Sequence, residues 1–251
     1  MIIMKKNRDA FSFLDHLDEL RTRFIHSIMA ILVGCCVAYS FIDAVLAYLI
    51  KPVGHLVFTE PAEAFSARMT LTLIGGVIIS LPYVLYQLWQ FVALALHENE
   101  RKSVALYGPL SLLFFIAGAF FAYFAAVPYS IQFLLSFASD LMVPMITVKN
   151  YIAYVGTLIF GFGVVFELPL ILMFLTKIGI ATPAFLVQKR RHAIILILIV
   201  SAIITPPDVI SQLIMAIPLL VLYEIGVVIS KITWSENLRK NQIISFGSRK
   251  I

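Results

Sequence analysis

Charged residues punctuate the chain into six long apolar runs, at about 24–48, 69–96, 104–127, 151–175, 192–205 and 209–229. The runs are too long for strands and lack the period-two alternation of a membrane barrel. A helix satisfies its own backbone in lipid, so each run predicts a membrane-spanning helix. The expected fold is an all-α integral membrane protein: an N-terminal segment 1–23, a six-span bundle at 24–230, and a tail at 231–251.

Composition strengthens this reading. The chain is 61% hydrophobic and 13% charged, with mean hydropathy +0.97, whereas a soluble domain is about a quarter charged. These values exclude a water-soluble enzyme, a disordered tail and a disulfide scaffold. Basic residues set the orientation. With the N-terminus inside, 16 of the 19 Lys and Arg fall on inner segments, and only Lys51, Arg68 and Lys149 fall outside. Both termini are therefore expected to be cytoplasmic. The first 23 residues mix Lys and Arg with Asp and Glu, unlike a cleavable signal or transit peptide, so the first run is expected to remain in the mature protein. Cys35 and Cys36 are neighbours on a predicted helix, read as packing thiols and not as a bridge.

Run lengths are uneven. The second could reach about 42 Å as a helix, beyond a hydrocarbon core of about 30 Å, and Pro82 offers it a kink. The fifth, at about 21 Å, is too short for an undisturbed bilayer. Either the membrane thins around it or the helix is shielded inside the bundle. Pro109, Pro128, Pro169 and Pro218 lie in or at the ends of runs, while Gly118, Ala122 and Ala126 form a smooth stripe suited to close helix contact.

Motifs for covalent chemistry are absent: there is no phosphate loop, CxxC, HExxH or GxSxG, and no enzymatic activity, cofactor or metal is expected. The five scattered histidines suit membrane boundaries. Glu167 needs a reason, because a carboxylate at the bilayer centre costs roughly 2.5–3.5 kcal/mol. It is either a protonated acid bonded to a neighbouring helix or part of a polar groove meeting water or a partner. Asp208 follows Thr205–Pro206–Pro207, where it can cap the sixth helix, with Gln212 one turn later. Glu224 can snorkel or pair with Lys231. On the inner side, Glu19 stands one turn before the first run, and Glu98 and Glu100 stand in a short loop. Such acids are either a self-neutralised surface or a receptor for a cationic peptide, for which Arg is the natural guest.

Seven stretches, in order, resemble the TatC family, the multi-span subunit of the twin-arginine protein translocase: HLDELRTRF (16–24), EPAEAF (60–65), LPYVLYQLWQFVALAL (81–96), HENER (97–101), FGVVFELP (162–169), KRRH (189–192) and TPPDVISQ (205–212). The resemblance implies a concave six-helix bundle in the bacterial plasma (inner) membrane, binding twin-arginine signal peptides of folded cargo. It implies that Glu19 and Glu100 receive the arginine pair, with Arg21, Phe24 and Phe91 on the same recognition surface. Glu167 matches the family's membrane-embedded acid, Asp208 and Gln212 match polar positions near the outer end, and Pro52 a proline of the first outer loop. A proline frequent in the family is missing from 92–95. Implied partners are single-span TatA and TatB type subunits, the lipid bilayer and further copies within the complex; nucleic acid is not among them. The rival reading of the residues alone is an ion-coupled small-solute transporter using Glu167 as its proton site, and a third is a passive assembly scaffold.

Overall fold

The structure, a computed structural model, describes residues 2–51, 53, 56–94, 98–138, 144–205 and 209–247, with side chains described for 17–51, 53, 56–93, 106–138, 144–205, 209 and 211–235. The helices are α1 (Ile2–Ser40), α2 (Ile42–Ile50), α3 (Pro61–Leu94), α4 (Glu98–Phe121), a π turn (Ala122–Ala126), α5 (Val127–Leu135), α6 (Val148–Val165), α7 (Leu168–Lys177), α8 (Pro183–Gln188), α9 (Arg190–Ile204) and α10 (Val209–Gly247). Among the described residues the only β interaction is one isolated bridge, Val57 to Thr147. Among the described residues, five segments are long and apolar enough to cross a membrane: Leu17–Ser40, Pro61–Ala93, Leu106–Leu135, Val148–Lys177 and Ser211–Ser235. The expected short fifth run is α9, whose 15 residues give about 22 Å of helix.

Contacts divide the chain into two compact units, Met1–Leu113 with Met145–Ala153, and Phe114–Pro144 with Tyr154–Ile251. In the first unit α1 packs along α3. Glycine permits this approach: a Cβ on Gly34 would overlap the Gly76 carbonyl oxygen, and one on Gly76 would overlap the Cys35 sulfur. The start of α3 and the end of α2 are tied by polar contacts. Glu63, buried in the first turn of α3, accepts the Thr59 backbone N–H at 2.7 Å, as a helix-capping acid does. The bridge itself consists of Val57 N–H to Ile146 O at 3.1 Å and Val148 N–H to Val57 O at 3.0 Å. Nearby, Tyr151 Oη donates to Leu49 O at 2.7 Å.

In the second unit α10 packs against α7, α8 and α9, and Phe162, Leu158, Leu170, Met215 and Leu219 are fully buried. Large apolar side chains also cover the outside, Ile203, Leu196 and Val221 among them, as befits a chain whose solvent is lipid. Buried hydroxyls bond to carbonyls one turn back, as Ser201 does to Ile197 O and Thr176 to Leu172 O. The Thr176 and Ser230 hydroxyls also meet across α7 and α10 at 2.6 Å. Where α7 ends, Gly179 takes φ +78, and the Ile180 N–H returns to Leu175 O at 3.0 Å, closing the helix with a left-handed cap.

Several expected boundaries move, each for a local reason. The first run does not continue to residue 48: α1 stops at Ser40 and the chain turns at Phe41 into α2. Asp43 stands in the first turn of α2, where negative charge is favoured, and its exposed carboxylate pairs with Arg68 at 2.8 Å, tying α2 to α3. The third run does not end at Val127. Pro128 cannot give a backbone N–H to Phe124, and the preceding turn widens so that the Val127 N–H bonds to Ala122 O. Helix then resumes as α5. The stripe of Gly118, Ala122 and Ala126 is buried and continues to Ser130, and a Cβ on Gly118 would meet the Phe162 carbonyl oxygen at 2.5 Å. The sixth run continues as helix to Gly247, through residues expected to form a polar tail.

Replacing Gly76 with Val should wedge α1 from α3 and destabilise the protein by about 1–3 kcal/mol, the usual range for an overpacked contact. Thermal unfolding in detergent checks this. Gly108→Ala, where open space surrounds the added Cβ, should leave the midpoint unchanged or raise it.

Candidate functional site

In the first unit, the start of the apolar part of α1 and the end of α3 are fixed to one another by a polar tie. Arg23 Nη1 donates to Gln87 Oε1 at 3.0 Å, and Gln87 is only 7% exposed. Equal steps along each helix separate this pair from the Gly34–Gly76 crossing, so α1 and α3 run antiparallel in one register. Continuing by one turn brings Glu19 on α1 to the level of Phe91 on α3. Two of the expected recognition residues are thus neighbours in level, although far apart in sequence.

Glu19 forms an ion pair with Nη2 of Arg23, one helical turn on. Its side chain is 38% exposed and that of Arg23 19%, so the carboxylate faces solvent more than its partner does. Arg21 and Phe24 are exposed on α1, Phe24 to 64%, and Phe91 is half-buried. Glu100 occupies the first turn of α4, two turns before Tyr107. The Tyr107 ring packs against Trp89 of α3 with centroids 5.1 Å apart, which fastens the start of α4 to this end of α3. The Glu100 side chain lies outside the described residues, as do Pro52 and Asp208 entirely.

Glu167 sits in the second unit, where the expected fourth run is broken. Pro169 has no N–H for Val165, and α6 stops at Val165. The Glu167 N–H turns to Val164 O at 3.1 Å, and helix resumes when the Ile171 N–H bonds to Glu167 O at 2.9 Å. Glu167 is 9% exposed. Around the break, the rings of Phe121, Phe162 and Phe166 pack with centroids 5.3 to 6.4 Å apart. Lys177 ends α7, ten residues and about 15 Å beyond Glu167, half the depth of a hydrocarbon core. The acid is therefore near midplane, on the one irregular turn of its span.

Gln212 is engaged within the fold, its Nε2 donating to Leu198 O at 3.0 Å and so tying α10 to α9. Glu224 pairs with Arg190 at 2.7 Å, not with Lys231, and the neighbouring Tyr223 hydroxyl donates to Leu186 O at 2.7 Å. These two contacts hold α8 and the start of α9 on α10. Among the described residues no three His, Cys, Asp or Glu side chains are grouped to hold a metal ion.

Arg23 and Gln87 are the residues that sequence reasoning missed. The signal was present in part: an acid followed four residues later by a base is a helical ion pair, and Gln87 is an amide inside an apolar run.

Comparison with known proteins identifies the family of this fold. The profile of the family described as "Sec-independent protein translocase protein (TatC)" matches residues 15–218. The Sec-independent protein translocase protein TatC of Carboxydothermus hydrogenoformans is 40% identical over 225 residues, covering 88% of this chain and 93% of that protein. TatCy of Bacillus subtilis is 35% identical over 259 residues, with 100% and 98% covered. A crystal structure described as the twin arginine translocase receptor TatC superposes with TM-score 0.80 at 38% identity, covering 87% of this chain and 99% of that one. With apolar helices long enough to cross a membrane repeatedly, this is a multi-pass membrane protein, and the chain belongs to the TatC family of Sec-independent protein translocase proteins.

Proposed function

We propose that this chain is the signal-peptide receptor and core subunit of a twin-arginine translocase, exporting folded proteins across a bacterial plasma membrane. The observation that carries the reading is the level shared by Glu19 and Phe91, at the end of the first unit where Glu100 lies in the first turn of α4. Both termini are cytoplasmic on this reading, supported by the 16 to 3 partition of basic residues. Glu19 and Glu100 then stand on the side from which cargo arrives.

The work done is recognition and transport. Each signal-peptide arginine presents a planar fork to a carboxylate, a charge-assisted contact worth roughly 1.5–3 kcal/mol. Phe24 and Phe91 offer apolar surface to the peptide beside its arginines, and Arg21 adds a donor at the rim. The peptide's apolar stretch follows the helices into the membrane, where single-span TatA and TatB type subunits and further copies of this chain assemble alongside. Midplane Glu167 and the short α9 favour local thinning or hydration of the bilayer. Asp208 and Gln212, and separately Pro52, serve the outer side.

Glu100→Gln should weaken binding of a twin-arginine signal peptide by about tenfold, equivalent to about 1.4 kcal/mol, as read by cross-linking yield or fluorescence titration. Undiminished binding would reject the contact. Glu167→Ala should leave peptide capture intact while lowering export of a folded reporter at least several-fold. Wild-type export by that variant would assign the acid a packing role alone, and solute uptake by the purified chain in vesicles would favour the transporter reading.

A further inference from the structure

The carboxylate assigned to cargo recognition already holds a guanidinium. Arg23 reaches Glu19 with Nη2 and Gln87 with Nη1, so a single fork bridges an ionised acceptor on α1 and a neutral one on α3. The two acceptors differ in access. Glu19 is partly open to solvent, whereas Gln87 is buried. Arg23 Nε is buried without a hydrogen-bond partner among the described residues, so this group is not held at every donor.

We infer that Arg23 is a resident stand-in for the signal-peptide arginine: it closes Glu19 in the empty receptor and is displaced onto Gln87 when cargo binds. The inference rests on the proposed role of Glu19. An incoming arginine offers Glu19 the same chemical group that it surrenders, so the exchange replaces like with like. Without an exchange, two guanidinium charges would crowd one carboxylate. Gln87 makes the exchange cheap, because Arg23 keeps one hydrogen bond inside the protein after Glu19 lets go.

Selectivity follows from the same competition. A lysine ammonium is a compact point charge without the planar fork of arginine, so it is the poorer competitor for a carboxylate already engaged by a guanidinium. A receptor whose acid is occupied in advance rejects weak cations that a free acid would accept, which is discrimination by an opposing element. Arg23 is thus a specificity-determining residue that acts by occupying Glu19.

The test uses the full chain in lipid nanodiscs, titrated with fluorescent signal peptides carrying either two arginines or two lysines. Arg23→Gln should tighten binding of the arginine peptide two- to tenfold and tighten the lysine peptide more, narrowing the ratio between them at least threefold. Gln87→Leu removes the position onto which Arg23 retreats and should weaken the arginine peptide. The two variants break one hydrogen bond, so a purely structural role would move both affinities in the same direction; shifts of opposite sign support the stand-in, and any other result overturns it. Arg23→Lys, which keeps charge and approximate volume, should narrow the ratio in the same direction and serves if the neutral variant does not fold. Glu19→Gln separates the two ideas. If it weakens the arginine peptide while Arg23→Gln fails to tighten it, the stand-in is wrong and the receptor role stands; if it changes nothing, the receptor role of Glu19 fails as well.

Discussion

Lipid offers no hydrogen bonds, and that single constraint organises this molecule. Every backbone N–H and C=O within the hydrocarbon must find its partner inside the protein, which makes uninterrupted helix the default. The interruptions are consequently informative. Pro128 is preceded by a wide π turn and Pro169 by the tight turn that carries Glu167. In both places a missing N–H has been accommodated by regrouping the neighbouring bonds within a residue or two. At Pro169 the regrouping coincides with the one buried carboxylate described near midplane.

Close backbone approach supplies the second level of order. With lipid outside, packing of apolar side chains against each other gains little over packing against acyl chains, so helices are joined where small residues let backbones meet and where polar groups cross. The pair α1 and α3 uses both: glycine at the crossing and the Arg23–Gln87 bond about three turns away. Together they determine the level of Glu19 against α3. Likewise α10 holds the short α9 through Glu224 at its first residue and through Gln212 near its middle, so a helix of marginal length is kept in place at two levels.

Much of this was legible in the sequence because apolar run length and charge placement are direct readouts of the membrane. The six runs, the shortness of α9 and the burial of Glu167 follow from counting. Run ends were less legible, for identifiable reasons. The turn at Phe41 is hidden because apolar residues flank it on both sides, and a single proline such as Pro128 does not reveal that a π turn precedes it. Pairing across helices was least legible: Glu224 has a nearby lysine in sequence but an arginine in space. The recognition set of Glu19, Arg21, Phe24, Phe91 and Glu100 came from family resemblance, since spacing alone cannot show that residues 19 and 91 share a level.

The π turn also settles a matter of phase. Four-residue steps along an α-helix advance by about 400°, so each small residue of a stripe such as Gly118, Ala122, Ala126 and Ser130 drifts about 40° from the last. Three such steps would carry Ser130 about 120° away from Gly118, yet both are buried. Underwinding the helix between Ala122 and Ala126 takes back part of that rotation and keeps the small residues pointing inward. The wide turn therefore behaves as an angular correction written into the backbone, and one residue added or lost within it would swing the whole of α5 about its axis while leaving the residues before it where they are.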